Sequence, residues 1–313
     1  MLPRYRTKVR ARSRTRPSGS ERRRRVREAF DARVQREWRR YTGTAWRVLA
    51  RELRHRFLLR HLPKGPGWVL ELGPGPGRFT PQVLTSGARV VAVDLSLPML
   101  RALGRRTTGR PRSGALRRVR GAGEHLPFED GAFRAAVVYG NILGFSGRGG
   151  DALLMELARV LRSGGVLVLD VASPAASATE FLEAAARQRF LLRILRDPEY
   201  YFLDGILQAK ERGHQPYAPE RMGFFEFDFY TVPAVEAVLA QTGFRPVDRM
   251  ALAPIGAFRE RLTTLARRDR VAWQNLIELE ERVGRRPGVL ETGHGFVVAA
   301  VRTAAHARRR SRG

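Results

Sequence analysis

Cysteine is absent from all 313 residues of the chain. Disulfide bonds, thiolate metal ligands, iron–sulfur clusters and cysteine nucleophiles are therefore excluded. We expect no metal site in the protein. The chemistry of any functional site has to come from other side chains and from the backbone.

Long hydrophobic runs are missing as well. No apolar stretch approaches the length that spans a membrane, and no secretory hydrophobic segment follows the N-terminus, so we expect a cytoplasmic protein. Hydrophobic residues nevertheless make up 43% of the chain. A chain of this length and composition can bury a substantial core in one large domain or two small ones.

Lysine is scarce, so arginine carries nearly all of the net charge of +28. Residues 1–27 contain eleven arginines against the single acid Glu21, and acids are also missing from the C-terminal end. Like charges repel, and these ends hold few apolar groups that could order them. We therefore predict disordered basic tails at residues 1–27 and 303–313, on either side of a domain at residues 28–302.

Several interpretations of the basic tails stay open. Their arginines could contact RNA, DNA or another anionic surface. The N-terminal tail could equally be a solvated extension, or a transit peptide, because acids are scarce and serines are present. Genome composition alone can also produce a preference for arginine over lysine.

Residues 69–81 combine a short apolar run with closely spaced glycines. A carboxyl group lies near the end of the run, glycine then occupies every second position, and a threonine and a proline start a helix: Glu71, Gly73, Gly75, Gly77, Thr80 and Pro81. Glycine lets a ligand approach the main chain closely. A strand, a tight turn and a helix N-terminus in this order predict a small-molecule cradle at the carboxyl edge of an α/β sheet.

The glycine spacing narrows the class of ligand. Counted from Gly73, a dinucleotide fingerprint would need its third glycine at Arg78, and no Gly-Lys-Ser/Thr follows as in a P-loop. A plain connecting turn is the alternative. The pattern E-x-G-x-G-x-G resembles the first motif of the class I methyltransferases, which bind S-adenosylmethionine. This resemblance assigns Glu71, Gly73, Gly75 and Gly77 to the cofactor site.

Residues 121–133 carry a second resemblance. Their sequence, GAGEHLPFEDGAF, is similar to the G-D-A-E-x-L-P-F-x-D-x-x-F segment of small-molecule methyltransferases related to the ubiquinone-biosynthesis group. The family aspartate that meets the adenine amino group is replaced by Ala122, so this contact would have to come from backbone or water. The resemblance places Ala122, Gly123 and Glu124 at the cofactor.

The family resemblance also implies the fold. It implies an α/β, Rossmann-like, doubly wound sheet of seven strands in the order 3-2-1-4-5-7-6, with the last strand antiparallel. The resemblance is strongest over roughly residues 66–172 and weaker over 230–301. It gives little information on residues 173–229, which we interpret as a helical cap insertion.

Asp94 ends the second expected strand, which places it beside the first glycine turn in a doubly wound sheet. A carboxylate there can accept both hydrogen bonds of a ribose diol; a helix N-cap is the alternative role. Leu95 and Met99 follow closely enough to flank an adenine ring.

Tyr139 and Asn141 lie where the fourth strand ends, the position that faces the methyl group in this fold. Asn141 could bind the substrate or the methionine part of the cofactor, or it could simply cap a loop. Methyltransferases that modify adenine or cytosine amino groups place Asn/Asp-Pro-Pro-aromatic at this point, and this chain lacks it.

The insertion at residues 173–229 is longer than an ordinary strand-to-helix connection. Long connections with their own structure tend to carry function, so we interpret it as a lid over the acceptor; an accessory hairpin without ligand contact is the alternative. His214, Tyr217 and Glu226 are its candidates for a catalytic base or a substrate-orienting group.

The sequence thus predicts a methyltransferase that moves a methyl group from S-adenosylmethionine to an O, N or C atom of a small molecule. The basic tails keep open an RNA- or DNA-directed methyltransferase or a nucleic-acid-binding protein. The missing proline motif and the missing cysteine count against the common base-methylating chemistries. A cofactor-binding subunit without activity is a third alternative, because of Ala122.

Overall fold

The protein was analysed as a computed structural model, which describes residues 18–40, 42–109, 113–147, 150–187, 212–215 and 227–304. Nine strands are assigned in these ranges: β1 Trp68–Leu72, β2 Arg89–Asp94, β3 Leu116–Arg120, β4 Phe133–Val138, β5 Leu161–Val171, β6 Arg212–Gln215, β7 Phe227–Tyr230, β8 Phe244–Ala251 and β9 Phe296–Arg302.

Seven of these strands form one sheet in the order β3-β2-β1-β4-β5-β9-β8. Strands β1 to β5 pair in parallel, whereas β9 runs antiparallel to both β5 and β8. Strands β6 and β7 pair only with each other. With this hairpin set aside, the order is 3-2-1-4-5-7-6, and the predicted fold class is confirmed.

The helices of the described residues cover both faces of the sheet. They are α1 Gly19–Asp31, α2 Val34–Arg39, α3 Ala45–His61, α4 Thr80–Thr85, α5 Leu97–Thr107, α6 Ile142–Ser146, α7 Gly150–Val160, α8 Pro174–Arg187, α9 Val232–Gln241, α10 Glu260–Arg267 and α11 Arg270–Gly284. Apolar residues of α7 and α9 pack on one face, and those of α3, α4 and α11 on the other. All six residues of β4 are buried, as expected for a strand covered on both sides.

The last part of the predicted N-terminal tail is helical in the structure. Residues 19–27, which we expected to be disordered, form the first part of α1. Ser18 caps this helix by accepting the backbone N–H of Glu21, and the Glu21 side chain pairs with Arg25 one turn later. The cap, the ion pair and the hydrogen bonds that Arg22 donates to two carbonyls outweigh repulsion between the arginines.

At the C-terminal end, β9 runs to Arg302, the last residue of the predicted domain. Thr303, assigned to the tail, still donates its backbone N–H to the Gly243 carbonyl over 3.0 Å. Residues 1–17 and 305–313 lie outside the part of the chain that the structure describes. Within the described part, no helix combines the length and the apolar character needed to cross a lipid bilayer.

Candidate functional site

The glycine turn after β1 is shaped by three left-handed residues. Gly73, Gly75 and Gly77 have φ values of 65°, 55° and 86°. A Cβ atom at Gly73 would overlap Ile142, and one at Gly77 would overlap Leu103, whereas a Cβ at Gly75 would meet no atom within 4 Å. A side chain at the first or third position would have to displace Ile142 or Leu103, whereas the middle position borders open space.

Asp94 holds this turn in place. Its Oδ2 accepts the backbone N–H of Gly75 at 3.0 Å, and its Oδ1 accepts that of Ser96 at 2.8 Å. Burial raises the pKa of Asp94 to about 6, an effect that the two backbone hydrogen bonds offset in part. Each carboxylate oxygen keeps a lone pair for a further donor. Asp94 thus accepts two backbone hydrogen bonds of its own turn and can still accept one from a ligand.

Glu71 is a buried carboxyl group on β1. It is 3% exposed, and its Oε2 has no hydrogen-bond partner among the described residues. Burial raises the pKa of Glu71 to about 7; the Thr80 side chain offsets part of this rise, and the nearby charge of Asp94 adds to it. A buried polar atom without a partner is costly for the protein alone, which points to a ligand donor at this position.

A cavity of about 1160 Å³, counted to its open mouth, lies over the glycine turn. Most of the sequence-predicted cofactor residues line it: Glu71, Gly73, Gly75, Asp94, Leu95, Met99, Gly123, Glu124 and Tyr139. Gly77, Ala122 and Asn141 are not among the lining residues. The structure therefore brings together nine of the twelve predicted residues around one space.

The side chain of Asn141 binds the backbone of a neighbouring loop and does not line the cavity. Its side-chain oxygen accepts the backbone N–H of Ala172 at 3.1 Å, and its own backbone has a left-handed φ of 58°. This arrangement favours the loop-capping alternative over a direct ligand contact. Ala122 forms a small turn, in which its carbonyl accepts the N–H of His125.

A buried ion pair that we did not predict supports the loop after β4. Arg54 Nε lies 2.8 Å from Asp170 Oδ2, and both side chains are buried. The other oxygen of Asp170 accepts the N–H groups of Gly140 and Asn141 at 2.7 and 2.8 Å. The Tyr139 hydroxyl donates to the Arg54 carbonyl at 3.1 Å. Asp170 thus fixes the backbone of Gly140 and Asn141 beside the cavity.

The lining residues before position 41, which we call the roof, come from α1 and α2. Arg23, Val26, Arg27 and Phe30 recur at helical spacing on α1, and they all line the cavity. The ring of Phe30 stands edge-on to that of Phe145 on α6, with centroids 5.5 Å apart. Three of these four residues lie in the predicted disordered tail, so sequence reasoning missed most of this helical face.

Arg22 fastens α1 to the rest of the protein. Its Nε donates to the Phe145 carbonyl at 2.9 Å and its Nη2 to the Gly144 carbonyl at 3.2 Å. The same Nη2 lies 3.9 Å from Asp228 on β7, which is almost fully buried. One arginine therefore joins α1, α6 and the hairpin.

Trp38 fastens α2 in a similar way. The guanidinium groups of Arg78 and Arg106 lie 3.7 and 4.2 Å from the centre of its ring. Arg78 also donates to the Trp38 carbonyl. Since Arg78 directly follows Gly77, the glycine turn itself carries the contact that holds α2 over it.

The two sides of the cavity differ in charge. The charged roof residues are three arginines, Arg23, Arg27 and Arg40, and one glutamate, Glu37. The lining residues from position 71 onward, which we call the floor, supply three carboxyl groups and one arginine: Glu71, Asp94, Glu124 and Arg78. A cation is therefore favoured at the floor and an anion at the roof.

The side chains of the candidate catalytic residues of the insertion lie outside the part of the chain that the structure describes. The backbone of His214 belongs to β6 and pairs with Asp228 of β7. Tyr217 and Glu226 lie outside the described residues. The catalytic candidates and the lid therefore stay predictions.

Comparison with known proteins identifies the domain. Residues 70–169 match a family model described as a methyltransferase domain. A demethylmenaquinone methyltransferase of Corynebacterium kroppenstedtii is 38% identical over 128 residues, 40% of this chain and 48% of that protein. One from Mycobacterium tuberculosis is 33% identical over 165 residues, 51% of this chain and 56% of that protein. The chain spans about half the length of the curated relatives it matches.

Solved structures confirm the fold. The 1,6-didemethyltoxoflavin-N1-methyltransferase of Burkholderia thailandensis, solved with 1,6-didemethyltoxoflavin and S-adenosylhomocysteine, aligns with a TM-score of 0.54 at 18% identity and covers 92% of each chain. A methyltransferase of Methanosarcina mazei aligns with a TM-score of 0.50 at 17% identity, over 79% of this chain and 97% of that one. Residues 70–169 are thus similar to methyltransferase domains, in agreement with the resemblance of the glycine motif to that of the class I methyltransferases.

Proposed function

We propose that the protein transfers a methyl group from S-adenosylmethionine to a small-molecule acceptor bound between the floor and the roof. The observation that carries this proposal is the cradle itself. Gly75 borders open space, its N–H is fixed by Asp94, and both lie at the cavity beside the end of β1.

The residues of the floor fit this cofactor. S-adenosylmethionine carries a sulfonium and an ammonium group, which suit the three carboxyl groups of the floor. Asp94 has lone pairs left for ribose hydroxyls, and the Glu71 oxygen without a partner can accept from the ligand. Leu95 and Met99 line the cavity as apolar neighbours for the adenine ring. When bound, the cofactor supplies an electrophilic methyl group.

The main contribution of the protein to catalysis is to hold the cofactor and the acceptor in the correct relative position. Orienting two reactants correctly can contribute about 7–11 kcal/mol to catalysis at best. Asp170 fixes the Gly140 backbone at the cavity, and Arg22 fixes α6 opposite α1. A general base is needed only when the acceptor arrives protonated.

The position of the cavity favours a small acceptor, because residues of the floor and of the roof line the same concave space, the usual setting of a small-molecule site. The relatives named above act on demethylmenaquinone by their names. In the described part of the basic tail, Arg22 and Arg23 turn toward the protein, which weakens the nucleic-acid alternative. The insertion at residues 173–229 would close the acceptor side.

A side chain placed at Gly75, where the cofactor would lie, tests this function. Asn is the side chain that best tolerates a left-handed φ, so Gly75→Asn should fold normally while placing atoms where the cofactor would lie. Gly164→Asn is the matched control, since Gly164 also has a positive φ and open space but does not line the cavity. We expect S-adenosylhomocysteine to bind the wild type and Gly164→Asn, and to bind Gly75→Asn at least about tenfold more weakly by calorimetry.

Transfer itself is measured with S-adenosylmethionine labelled on the methyl group and a panel of hydroxylated, amino and carbon-acid acceptors. If the wild type does not bind S-adenosylhomocysteine, or if Gly75→Asn binds it as well as the wild type does, the proposed function is wrong.

A further inference from the structure

The side of α1 that faces the cavity combines two arginines with two apolar residues. Arg23 and Arg27 are one turn apart, with Val26 and Phe30 beside them on the same face. The arginine side chains are 36% and 37% exposed, so they are half-buried at the cavity rather than fully solvated.

Among the residues that the structure describes, both arginines have loose ionic contacts. Arg23 Nη1 lies 3.9 Å from Glu124 Oε1, and Arg27 Nη2 lies 3.7 Å from Glu28 Oε1. Neither separation is a hydrogen bond. Glu28 is itself 55% exposed and does not line the cavity. The planar fork of each guanidinium can therefore turn to a ligand oxygen without breaking a hydrogen-bonded ion pair.

The wall of the cavity that adjoins α1 is apolar. Ile142 and Phe145 of α6 line the cavity together with Leu153 of α7, and Phe145 meets the Phe30 ring edge-on. Aromatic rings at the cavity favour a flat, apolar ligand body. The cationic groups of the roof line the same cavity.

We propose that the methyl acceptor is a flat, apolar molecule with an ionised hydroxyl or carboxyl group, and that Arg23 and Arg27 bind this anionic group. The inference rests on the proposed function and names the substrate class of the same site. The two cations hold the acidic group in its deprotonated form, which is the nucleophilic form when that group is a hydroxyl. The acceptor then needs no separate base to lose its proton.

Umbelliferone, a flat hydroxycoumarin whose anion absorbs at longer wavelength than its neutral form, is a suitable probe. Its methyl ether has nearly the same shape and cannot ionise. Binding of both is measured by calorimetry on the full chain saturated with S-adenosylhomocysteine, and the pKa of the bound hydroxyl by absorbance. No turnover is required.

We expect umbelliferone to bind about tenfold more tightly than its ether, with the pKa of its hydroxyl lowered by at least about one pH unit on binding. The double variant Arg23→Gln/Arg27→Gln should lose both effects, and Arg23→Lys/Arg27→Lys should restore part of each. Arg24→Gln is the control, because Arg24 lies on the same helix, is 59% exposed and does not line the cavity.

Equal binding of the two probes to the wild type, or a preference that survives in the glutamine double variant, would overturn this inference. Failure of umbelliferone to bind a chain that does bind S-adenosylhomocysteine would overturn it too. Failure to bind S-adenosylhomocysteine contradicts the proposed function instead, so the two results are distinguishable.

Discussion

The floor and the roof of the cavity carry opposite charge and are held in place in different ways. Backbone hydrogen bonds and a buried ion pair fix the floor, through Asp94 and Asp170. Side chains fix the roof, through the Arg22 contacts and the cation–π contacts of Trp38. Changes at the floor should therefore alter stability as well as binding, whereas changes at the roof should mainly alter ligand preference and local motion.

The largest effect should come from Asp170→Ala. This change leaves the Arg54 charge buried without its partner and removes the acceptor of two backbone N–H groups. We expect the free energy of unfolding to fall by about 3–5 kcal/mol in chemical denaturation. Asp130→Ala is the control, since Asp130 also pairs with an arginine but is 79% exposed. Equal losses in both variants would remove the distinction between a buried support and a surface pair.

Glu71→Gln should change stability in the opposite direction. The folded pKa of about 7 lies above the ordinary value of 4.5, so the stability that Glu71 contributes at low pH is lost as the pH rises through about 7. At about pH 8 we expect the variant to be more stable than the ligand-free wild type by about 2–3 kcal/mol, with little difference near pH 5. Thermal melting at both pH values measures this, with exposed Glu129→Gln as the control. A variant less stable than the wild type at about pH 8 would show that Glu71 has a partner in the protein.

Asp94→Ala tests the floor as a binding surface. We expect the affinity for S-adenosylhomocysteine to fall by about 1–3 kcal/mol, because Gly75 loses its fixed N–H and the ligand loses an acceptor. In the wild type the affinity should also fall below about pH 6, where Asp94 becomes protonated. Calorimetry across pH measures both effects. Asp269→Ala, which removes the N-cap of distant α11, should leave the affinity unchanged.

The smallest effect should come from the roof, in Trp38→Leu. Two cation–π contacts are worth about 1–2 kcal/mol together at a partly exposed site, and leucine would retain some packing. We expect amide hydrogen exchange in α2 to become about fivefold faster, with the global unfolding midpoint nearly unchanged. Trp68→Leu loses a similar contact with Arg89 on the other side of the sheet and should not affect exchange in α2. Slower or unchanged exchange would mean that Trp38 does not hold the roof.

Sequence reasoning predicted the floor well because its signals are local. A strand, alternate glycines and a carboxyl group at the next strand end lie within about 25 residues, and each constrains the backbone directly. The sheet order came from the family resemblance rather than from the residues alone. Ala122 and Asn141 also follow strand ends, those of β3 and β4. The directions of their side chains depend on turns that residue spacing does not define.

Sequence reasoning missed the first part of the roof, because it expected helices over the cofactor cleft only from about residue 28, where aromatic and aliphatic residues recur at helical spacing. Residues 19–27 are rich in arginine, which predicts repulsion, but Val26 and Phe30 continue an apolar face that begins inside this run. The Arg54–Asp170 pair spans 116 residues, so no local pattern shows it. One signal was available: Asp170 lies near the end of a buried strand, as Glu71 and Asp94 do.

The position of Arg22 has a consequence for how the cavity exchanges its contents. This side chain is 7% exposed and touches two carbonyls of α6 and a carboxylate of β7. If α1 swings outward, the two carbonyls and the Asp228 carboxylate lose their contacts with Arg22 together. Exchange of molecules past α1 therefore requires breaking contacts that join three distant parts of the chain.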